Sequence, residues 1–402
     1  MLLTLLLIIL LYIFANLYVY IRCKNFTSRY KLFRILIIAG HLTLLLVGVG
    51  IILFSGKPHH DYRSFSLYFQ LNFAFLWMML LVLNLFIFYL PADLLVILIR
   101  KKIKQGTGIM IRRFFHKAGL LISFIIWALM LYGYFIGVTD FKVQEYTIVS
   151  EKIPDSFNGT RIVHFSDTHL GSFFRTSSVK KGVDLIKEQN PDLILFTGDL
   201  VNISAQEAVP YLDMFASIEA PLGKYAILGN HDMSDYMKID ISRDSINVNT
   251  PEVVEKLEKM GFIVLRDTST YITNGTDSIQ LIGTDSWGKP PFKQWGNPQK
   301  ALEAADKTKF TILMTHDPSA WESITSNELR TDLTLSGHTH GMQLGIRWKF
   351  IDWSPIKMKY HNWAGLYIEN GKALHINPGF GFIGIPFRIG IRPEITVITL
   401  HN

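Results

Sequence analysis

The stretch RIVHFSDTHLGSFFRTSSVKKGVDLIKEQNPDLILFTGD, residues 161–199, decides the fold of the C-terminal part of the chain. Its two short apolar runs, Arg161–Phe165 and Leu193–Phe196, have the length of buried strands. Between them, Ser177–Glu188 spaces its apolar residues as an amphipathic helix does. This alternation predicts an α/β fold in which helices cover much of the sheet.

The same alternation continues to the C-terminus. Further runs predicted as strands are Tyr225–Leu228, Gln280–Ile282, Thr311–Met314, Leu333–Leu335, Leu374–Ile376 and Ile395–Leu400. Further stretches predicted as helices are Gln206–Ile218, Val253–Met260 and Gln299–Asp306. We therefore assign residues 141–402 to one folded domain.

Four apolar stretches precede this domain: Leu2–Tyr20, Ile35–Phe54, Phe65–Tyr89 and Ala118–Val138. Each approaches or exceeds the roughly 20 residues that a helix needs to cross a bilayer. The first lacks the charged start and cleavage site of a signal peptide, so we expect it to be retained. A buried all-helical core is disfavoured, because polar faces are nearly absent. We predict that residues 1–140 form a transmembrane region with four helices.

Positive charge is concentrated in the first 140 residues, which hold 14 Lys/Arg and three acids, whereas residues 141–402 hold 26 Lys/Arg and 30 acids. The acidic balance of the larger part argues against a nucleic-acid-binding domain, and no nucleic acid partner is expected. The loops after the first and third apolar stretches are rich in Lys/Arg, and such loops stay in the cytoplasm. We therefore predict a multi-pass integral membrane protein of a bacterial cell membrane, with an extracytoplasmic N-terminus and an extracytoplasmic domain 141–402.

The single cysteine, Cys23, excludes both a disulfide framework and a cysteine metal cluster within the chain. Any metal ligands are therefore His, Asp, Glu or Asn. Five clusters of such residues directly follow apolar runs. They are Asp167-Thr168-His169, Gly198-Asp199, Gly229-Asn230-His231-Asp232, His316-Asp317 and Gly337-His338-Thr339-His340.

Each cluster alone is weak evidence, because a Gly-Asp after a strand is usually a turn and a buried His is usually structural. Five strand ends would nevertheless deliver these side chains to one crevice, since ligands bind at the carboxyl ends of strands in open α/β sheets. Mixed imidazole and oxygen donors suit two divalent ions such as Mn²⁺, Fe²⁺/Fe³⁺ or Zn²⁺. Two ions roughly 3.5–4 Å apart need a bridging carboxylate, for which Asp199 is the candidate.

The ordered set of clusters resembles the calcineurin-like metallophosphoesterase family over roughly residues 145–400. The segments Asn377–Pro386 and Pro393–Thr396 resemble its membrane-anchored bacterial branch, whose members include cell-surface phosphodiesterases and enzymes of lipid A precursor cleavage. The resemblance implies a domain of two mixed β-sheets, sandwiched together and flanked by helices.

The resemblance also implies a role for each site residue. Asp167, His169 and His340 would hold one metal ion; Asn230, His316 and His338 would hold the other; Asp199 would bridge both. His231 would contact the phosphate and protonate the leaving oxygen, and Asp232 would orient His231. Two positions depart from the family pattern: Asn202 replaces an Asp beside the first metal, and Met342 replaces a Gly.

The function expected from this set is a membrane-anchored, metal-dependent phosphoesterase. It would hydrolyse phosphoester bonds, with diesters favoured, by attack of metal-bound hydroxide. Tethering near the bilayer favours lipid-linked or cell-envelope substrates. Alternatives that remain open are a metal-dependent nuclease and a non-catalytic membrane sensor or binding module that uses the same site.

Two further expectations concern charges outside the clusters. Arg388 and Arg392 are candidates for a second phosphate contact, although solvation at the surface is the simpler interpretation. A transporter or channel is disfavoured because the apolar stretches show no paired buried charges, with Asp93 as their one obvious acid.

Overall fold

The computed structural model describes residues 11–22, 35, 39–40, 42–43, 46, 48–50, 62–233, 246–303, 305–321 and 331–402. The chain forms two compact units. One comprises Met1–Lys57 and Leu67–Tyr132, and the other comprises Pro58–Ser66 and Gly133–Asn402.

Two long apolar helices coincide with the third and fourth predicted stretches: Tyr62–Ile99 contains the third, and Gln105–Phe135 covers the fourth as far as Phe135. By length and composition, Gln70–Ile99 and Gln105–Thr139 can each cross a membrane. Both helices begin before the predicted bounds, because hydropathy marks only the apolar part of a helix and not its polar end. The fourth stretch finishes in a separate 3₁₀ turn, Gly137–Thr139. Residues 11–22, from the first predicted stretch and just beyond it, are helical. The rest of that stretch and most of Ile35–Phe54 lie outside the described residues, so four spans remain a prediction.

Asp93 is buried and ion-paired in the N-terminal unit. Its Oδ2 lies 2.5 Å from Nε of Arg22, and its Oδ1 lies 3.0 Å from Nε of Arg112. The Tyr18 hydroxyl also donates to this carboxylate. The expectation of no paired buried charge was therefore wrong, because the partners of Asp93 come from distant parts of the sequence.

In the described residues, the C-terminal unit forms two six-stranded mixed sheets. Its strands are β1 (Lys142–Val149), β2 (Arg161–Phe165), β3 (Leu193–Phe196), β4 (Lys224–Ala226), β5 (Ile263–Val264), β6 (Thr268–Asn274), β7 (Asp277–Gly283), β8 (Thr311–Met314), β9 (Leu333–Ser336), β10 (Ile346–Trp348), β11 (Ile351–Trp353), β12 (Gly365–Glu369), β13 (Lys372–Ile376) and β14 (Glu394–His401). The first sheet has the order β1-β14-β2-β3-β4-β5 and the second has the order β12-β13-β9-β8-β7-β6. Strands β10 and β11 form a separate hairpin.

All eight predicted strands are present, and the predicted α/β fold with mixed sheets is confirmed. The six strands that were not predicted are short, exposed or polar. One apolar core draws on both sheets, with Ile162 and Leu195 from the first meeting Ile312 and Leu335 of the second. The predicted strands are therefore the ones whose side chains are buried in the interior.

The α-helices among the described residues of this unit are Thr176–Glu188, Leu212–Ala216, Ile246–Lys259 and Pro298–Glu303. The predicted helix Gln206–Ile218 instead forms a 3₁₀ segment, Ala205–Tyr211, followed by one short α-helix. Pro210 explains the break, because proline removes a backbone donor inside a helix.

The strand directions bring the predicted clusters to one edge. Strands β2, β3 and β4 are mutually parallel, and so are β8 and β9. The loops that follow these five strands carry the five polar clusters. Parallel strands direct their carboxyl ends to the same edge of a sheet, which gathers side chains that are far apart in sequence.

Candidate metal centre

Asp167, His169 and His340 form the first buried cluster, and their ligand atoms all lie within 4.8 Å of one another. Nε2 of His340 is 3.2 Å from Oδ1 of Asp167 and 3.1 Å from Nε2 of His169. Three potential donor atoms thus converge on one point.

Asp199, His316 and His338 form a second cluster of the same kind. Nε2 of His316 is 3.2 Å from Oδ2 of Asp199 and 3.2 Å from Nδ1 of His338. Asn230 is buried and lines the same cavity as His338. The second cluster therefore offers imidazole and oxygen donors, as the first one does.

A single oxygen atom of Asp199 faces both clusters. Its Oδ2 lies 3.5 Å from Nε2 of His169 and 3.2 Å from Nε2 of His316. This is the position that a bridging carboxylate requires. The donor set of nitrogen and oxygen atoms fits two adjacent divalent ions.

Backbone carbonyls orient two of the imidazole rings. Nδ1 of His169 lies 3.2 Å from the carbonyl of Val201, and Nδ1 of His316 lies 2.7 Å from the carbonyl of Thr197. Each Nδ1–H donates to its carbonyl, which leaves Nε2 as the ligand atom.

Asp317 is a site residue to which the sequence analysis gave no role. Its Oδ2 lies 3.4 Å from Nε2 of His338 and accepts a hydrogen bond of 3.0 Å from the Tyr360 hydroxyl. His338 consequently directs Nδ1, rather than Nε2, toward the second cluster. The signal that could have found this role is the place of Asp317 directly after His316, at the end of a buried strand.

Arg388 is buried rather than solvated, so the surface interpretation was wrong. Its side chain is 1% exposed, and its Nε donates to the carbonyl of Gly381 at 2.9 Å. Its Nη2 lies 3.2 Å from Nδ1 of His340. Burial lowers the pKa of this guanidinium to about 9. Arg388 therefore supports the His340 ring from behind instead of facing solvent.

Asp232 and His231 occupy different parts of the site. The Asp232 carboxylate accepts backbone hydrogen bonds from Asp199 at 2.8 Å, from Leu200 at 2.9 Å and from Gly229 at 2.9 Å. It thereby holds the loop that carries Asp199. Nδ1 of His231 lies 2.7 Å from the carbonyl of Asn202. Orientation of His231 by Asp232 stays a prediction.

Asn202, the departure from the family pattern, belongs to a buried polar network. Its Nδ2 donates to Oε2 of Glu207 at 3.0 Å, and its Oδ1 accepts from Oγ of Ser172 at 3.1 Å. Glu207 also accepts from the backbone N–H groups of Gly171 and Ser204. An amide therefore suits position 202, because it can donate to the buried carboxylate.

The backbone of the site is unusual for non-glycine residues. Five predicted ligands have φ between +41° and +68°: Asp167, His169, Asp199, His338 and His340. Such conformations are costly outside glycine and cluster at functional sites. Close approach also demands glycine at Gly229, where a Cβ atom would lie 2.1 Å from Oδ1 of Asp199.

The electrostatics of the site follow from burial combined with opposite charges. Burial opposes ionisation of Asp199, but His316 and His231 hold its pKa well below the usual range. Burial alone would lower the pKa of His316, yet Asp199 raises it to about 10. Burial lowers the pKa of His338 to about 4. Burial, with the nearby charge of Asp199, raises the pKa of Asp232 to about 7.

A cavity of about 190 Å³ opens onto both clusters. Besides the site histidines, its wall includes Phe292, Ile356, Lys359, Tyr360 and Ile383. The Lys359 ammonium lies 4.2 Å from the centroid of the Phe292 ring. The wall thus combines apolar side chains with one positive charge beside the candidate metal site.

Comparison with known proteins yields one family and several relatives. The model of the family "Calcineurin-like phosphoesterase" matches residues 160–342. The chain is 31% identical over 266 residues to the uncharacterized metallophosphoesterase YkuE of Bacillus subtilis, covering 65% of this chain and 86% of that protein. It is 29% identical over 291 residues to a transmembrane protein with metallophosphoesterase domain of Danio rerio, covering 70% of this chain and 62% of that protein. It is 27% identical over 281 residues to UDP-2,3-diacylglucosamine pyrophosphatase LpxG of Chlamydia trachomatis, covering 58% of this chain and 83% of that protein.

Proposed function

The chain belongs to the calcineurin-like phosphoesterase family of metal-dependent hydrolases of phosphoester bonds, and from this premise we propose that it is a membrane-anchored phosphodiesterase for lipid-linked or cell-envelope substrates. The observation that carries the proposal is the Asp199 oxygen shared by two buried His/Asp clusters. A phosphoryl group in the adjoining cavity would meet side chains from four of the five loops.

We assign the ligands as follows. Asp167, His169 and His340 would hold one ion, Asn230, His316 and His338 would hold the other, and the Asp199 carboxylate would be available to both. When bound, two divalent ions supply positive charge to the phosphoryl oxygens and lower the pKa of water. The mixed donor set supports Mn²⁺, Fe²⁺/Fe³⁺ or Zn²⁺ as the ions.

His231 is proposed as the general acid. It lines the cavity, and its ring centroid lies 5.0 Å from that of His169. Because Nδ1 donates to the carbonyl of Asn202, Nε2 is the atom through which a protonated ring can donate to a leaving oxygen. Asp232 keeps the Asp199 loop in place beside it.

The membrane part of the proposal rests on the two apolar helices and on the relatives. Strand β1 begins at Lys142, directly after the candidate span that ends at Thr139. A relative named as a transmembrane protein supports membrane association. We propose residues 1–140 as the membrane region and residues 141–402 as the catalytic domain. The distribution of Lys/Arg supports an extracytoplasmic position for that domain and for the N-terminus.

The substrate class rests on two observations. One relative is named as a pyrophosphatase of a diacylated sugar nucleotide. The cavity of this chain also has apolar walls formed by Phe292, Ile356 and Ile383 beside the ligands. Both support a phosphorylated substrate that carries an apolar group.

The test is an assay of the detergent-solubilised full chain with an aryl phosphodiester and the matching monoester. Mn²⁺, Zn²⁺ and Mg²⁺ are each supplied, with Asp199→Asn and His338→Ala as variants. We expect metal-dependent hydrolysis of the diester, reduced roughly 10²–10³-fold in both variants. A folded chain that binds metal but hydrolyses neither ester would favour a sensor. In the same assay with an oligonucleotide as a third substrate, preferred cleavage of the oligonucleotide would favour a nuclease.

A further inference from the structure

The hairpin formed by β10 and β11 stands apart from both large sheets. Its strands pair Ile346 with Trp353 and Trp348 with Ile351, and Lys349 and Phe350 form the turn. The base of the hairpin is fixed, since Gly345 N–H donates to the carbonyl of Ile389 at 3.0 Å. The hairpin is thus a defined projection rather than a loose loop.

The apolar face of this hairpin is exposed, whereas a normal surface hairpin exposes its polar face. Alternation places Ile346, Trp348, Ile351 and Trp353 on one face, and these side chains are 47–74% exposed. The opposite face carries the pair Arg347–Asp352.

The polar face is the one turned toward the domain. Nη2 of Arg347 donates to the carbonyl of Ala364 at 3.3 Å, and its guanidinium lies 5.4 Å from the centroid of the buried Trp363 ring. Two antiparallel strands at a protein surface ordinarily pack their apolar face against the protein and expose their polar face to water. Here the apolar face is presented outward, which indicates an external apolar partner.

Charge around this face selects the kind of partner. Phe350 at the tip is 94% exposed, and the nearby Met358 is almost as exposed. The segment 346–359 holds four basic residues and one acid, Asp352, which pairs with Arg347 and Lys357, and Lys349 stands in the turn beside Phe350. Exposed Trp and Phe interleaved with Lys are typical of elements that enter the interface of an anionic bilayer.

We propose that the β10–β11 hairpin docks on the surface of an anionic lipid bilayer, with Trp348 and Phe350 inserted and Lys349 at the headgroups. The same chain carries two helices able to span a membrane, and β1 follows the second one directly. A bilayer is therefore within reach of this domain at high effective concentration.

Docking of the hairpin on a bilayer would also affect how a substrate reaches the cavity beside the candidate metal centre. The chain runs from the hairpin into Ile356, Lys359 and Tyr360, which line it. Under the proposed function, a bilayer-embedded phosphoester would therefore approach the site along this segment. This consequence rests on that function, whereas the docking itself does not.

The experiment uses the full chain reconstituted in nanodiscs of phosphatidylcholine and phosphatidylglycerol in equal parts. Because Cys23 is the single cysteine, Cys23→Ser with Phe350→Cys carries one nitroxide label. Ile368→Cys, an exposed apolar position on β12, is the matched control. Accessibility of each label to oxygen and to a water-soluble nickel chelate is measured.

We expect the label at position 350 to be roughly tenfold less accessible to the chelate than the label at position 368, and more accessible to oxygen. The label at position 368 should remain accessible to the chelate. Equal chelate accessibility at both positions would overturn the proposal. Protection that persists in detergent with label–label broadening would indicate a second copy instead and would also overturn it.

A second readout separates docking from catalysis. Trp348→Ala with Phe350→Ala should lower hydrolysis of a bilayer-embedded phosphoester roughly tenfold and leave a soluble aryl ester unchanged, because only apolar burial in the bilayer is lost. Equal loss on both substrates would contradict docking. Absence of any hydrolysis by the parent chain would contradict the proposed function but not the docking, since the label measurement does not need activity.

Discussion

Nε2 of His338 lies 3.4 Å from Oδ2 of Asp317, while its Nδ1 faces His316 at 3.2 Å. The carboxylate thus holds the proton-bearing side of the ring, and the other nitrogen is presented to the second cluster. Carboxylates that accept from ligand histidines in this way fix the ring and raise its basicity as a ligand. Tyr360 donates to the same Asp317 oxygen and holds it in turn.

Replacing Asp317 with Asn should therefore weaken metal binding without removing a ligand. We expect the affinity for one of two Mn²⁺ ions to fall about 10- to 100-fold, because His338 loses its orienting carboxylate. Isothermal titration calorimetry of the metal-depleted chain with Mn²⁺ measures the two affinities. Asp352→Asn on the exposed hairpin is the control. Two unchanged Mn²⁺ affinities would show that Asp317 does not position His338.

The buried pair Asn202–Glu207 gives a stability prediction. Asn202→Asp would replace an amide donor with a second acidic group against a buried carboxylate, at a cost of about 1–3 kcal/mol. Thermal unfolding in detergent measures the change. The double variant with Glu207→Gln should be less destabilised than the sum of the two single variants, since the new amide at position 207 can donate to the new carboxylate at position 202. Strict additivity would show that the two side chains do not interact.

The role of His231 predicts a dependence on the leaving group. His231→Ala should lower kcat roughly 10²–10³-fold for an alkyl diester, whose leaving oxygen needs a proton. The loss should be much smaller for a nitrophenyl diester, whose leaving group is stable as an anion. Metal content is measured in parallel and should be unchanged. An equal loss on both esters would assign His231 to phosphate binding rather than to proton donation.

His164 predicts a pH dependence of stability. It is fully buried, with Nδ1 3.0 Å from Nδ1 of His375 and Nε2 2.9 Å from Oγ1 of Thr197. Burial, with His375 nearby, holds the pKa of His164 well below its usual value. Below pH about 6.5 the unfolded chain binds a proton that folded His164 does not, so stability falls as the pH falls, by up to about 1.4 kcal/mol per pH unit.

The measurement compares His164→Gln with the parent chain, both with a chelator present so that metal loss does not contribute. Denaturant unfolding between pH 7 and pH 5 should show a shallower decline for the variant, whatever its absolute stability. His361→Gln, at an exposed position, should keep the parent slope. Identical slopes for His164→Gln and the parent would contradict the prediction.

Much of the fold could be predicted because its central strands are buried. Runs such as Leu193–Phe196 and Thr311–Met314 are apolar or nearly so along their length, and the structure has strands with the same bounds. Edge strands such as β1 and β6 were missed, because their alternation with polar residues is weak and they are covered on one side at most. The predicted helix near Gln206 was interrupted by Pro210, a local signal that hydrophobic periodicity does not register.

The sequence by itself determined the types of the candidate ligands and their order along the chain, since each cluster follows an apolar run that forms a buried strand. It also determined the two long apolar helices, because their composition alone makes them candidate spans. Only the tertiary structure decided that one Asp199 oxygen faces both clusters, that Asp317 directs Nδ1 of His338 inward, and that Arg388 is buried behind His340. These relationships join residues far apart in sequence through strand order and loop geometry, and no local pattern encodes them. The inverted hairpin at Trp348 is of the same kind, because alternation defines its two faces but only packing decides which one meets the protein.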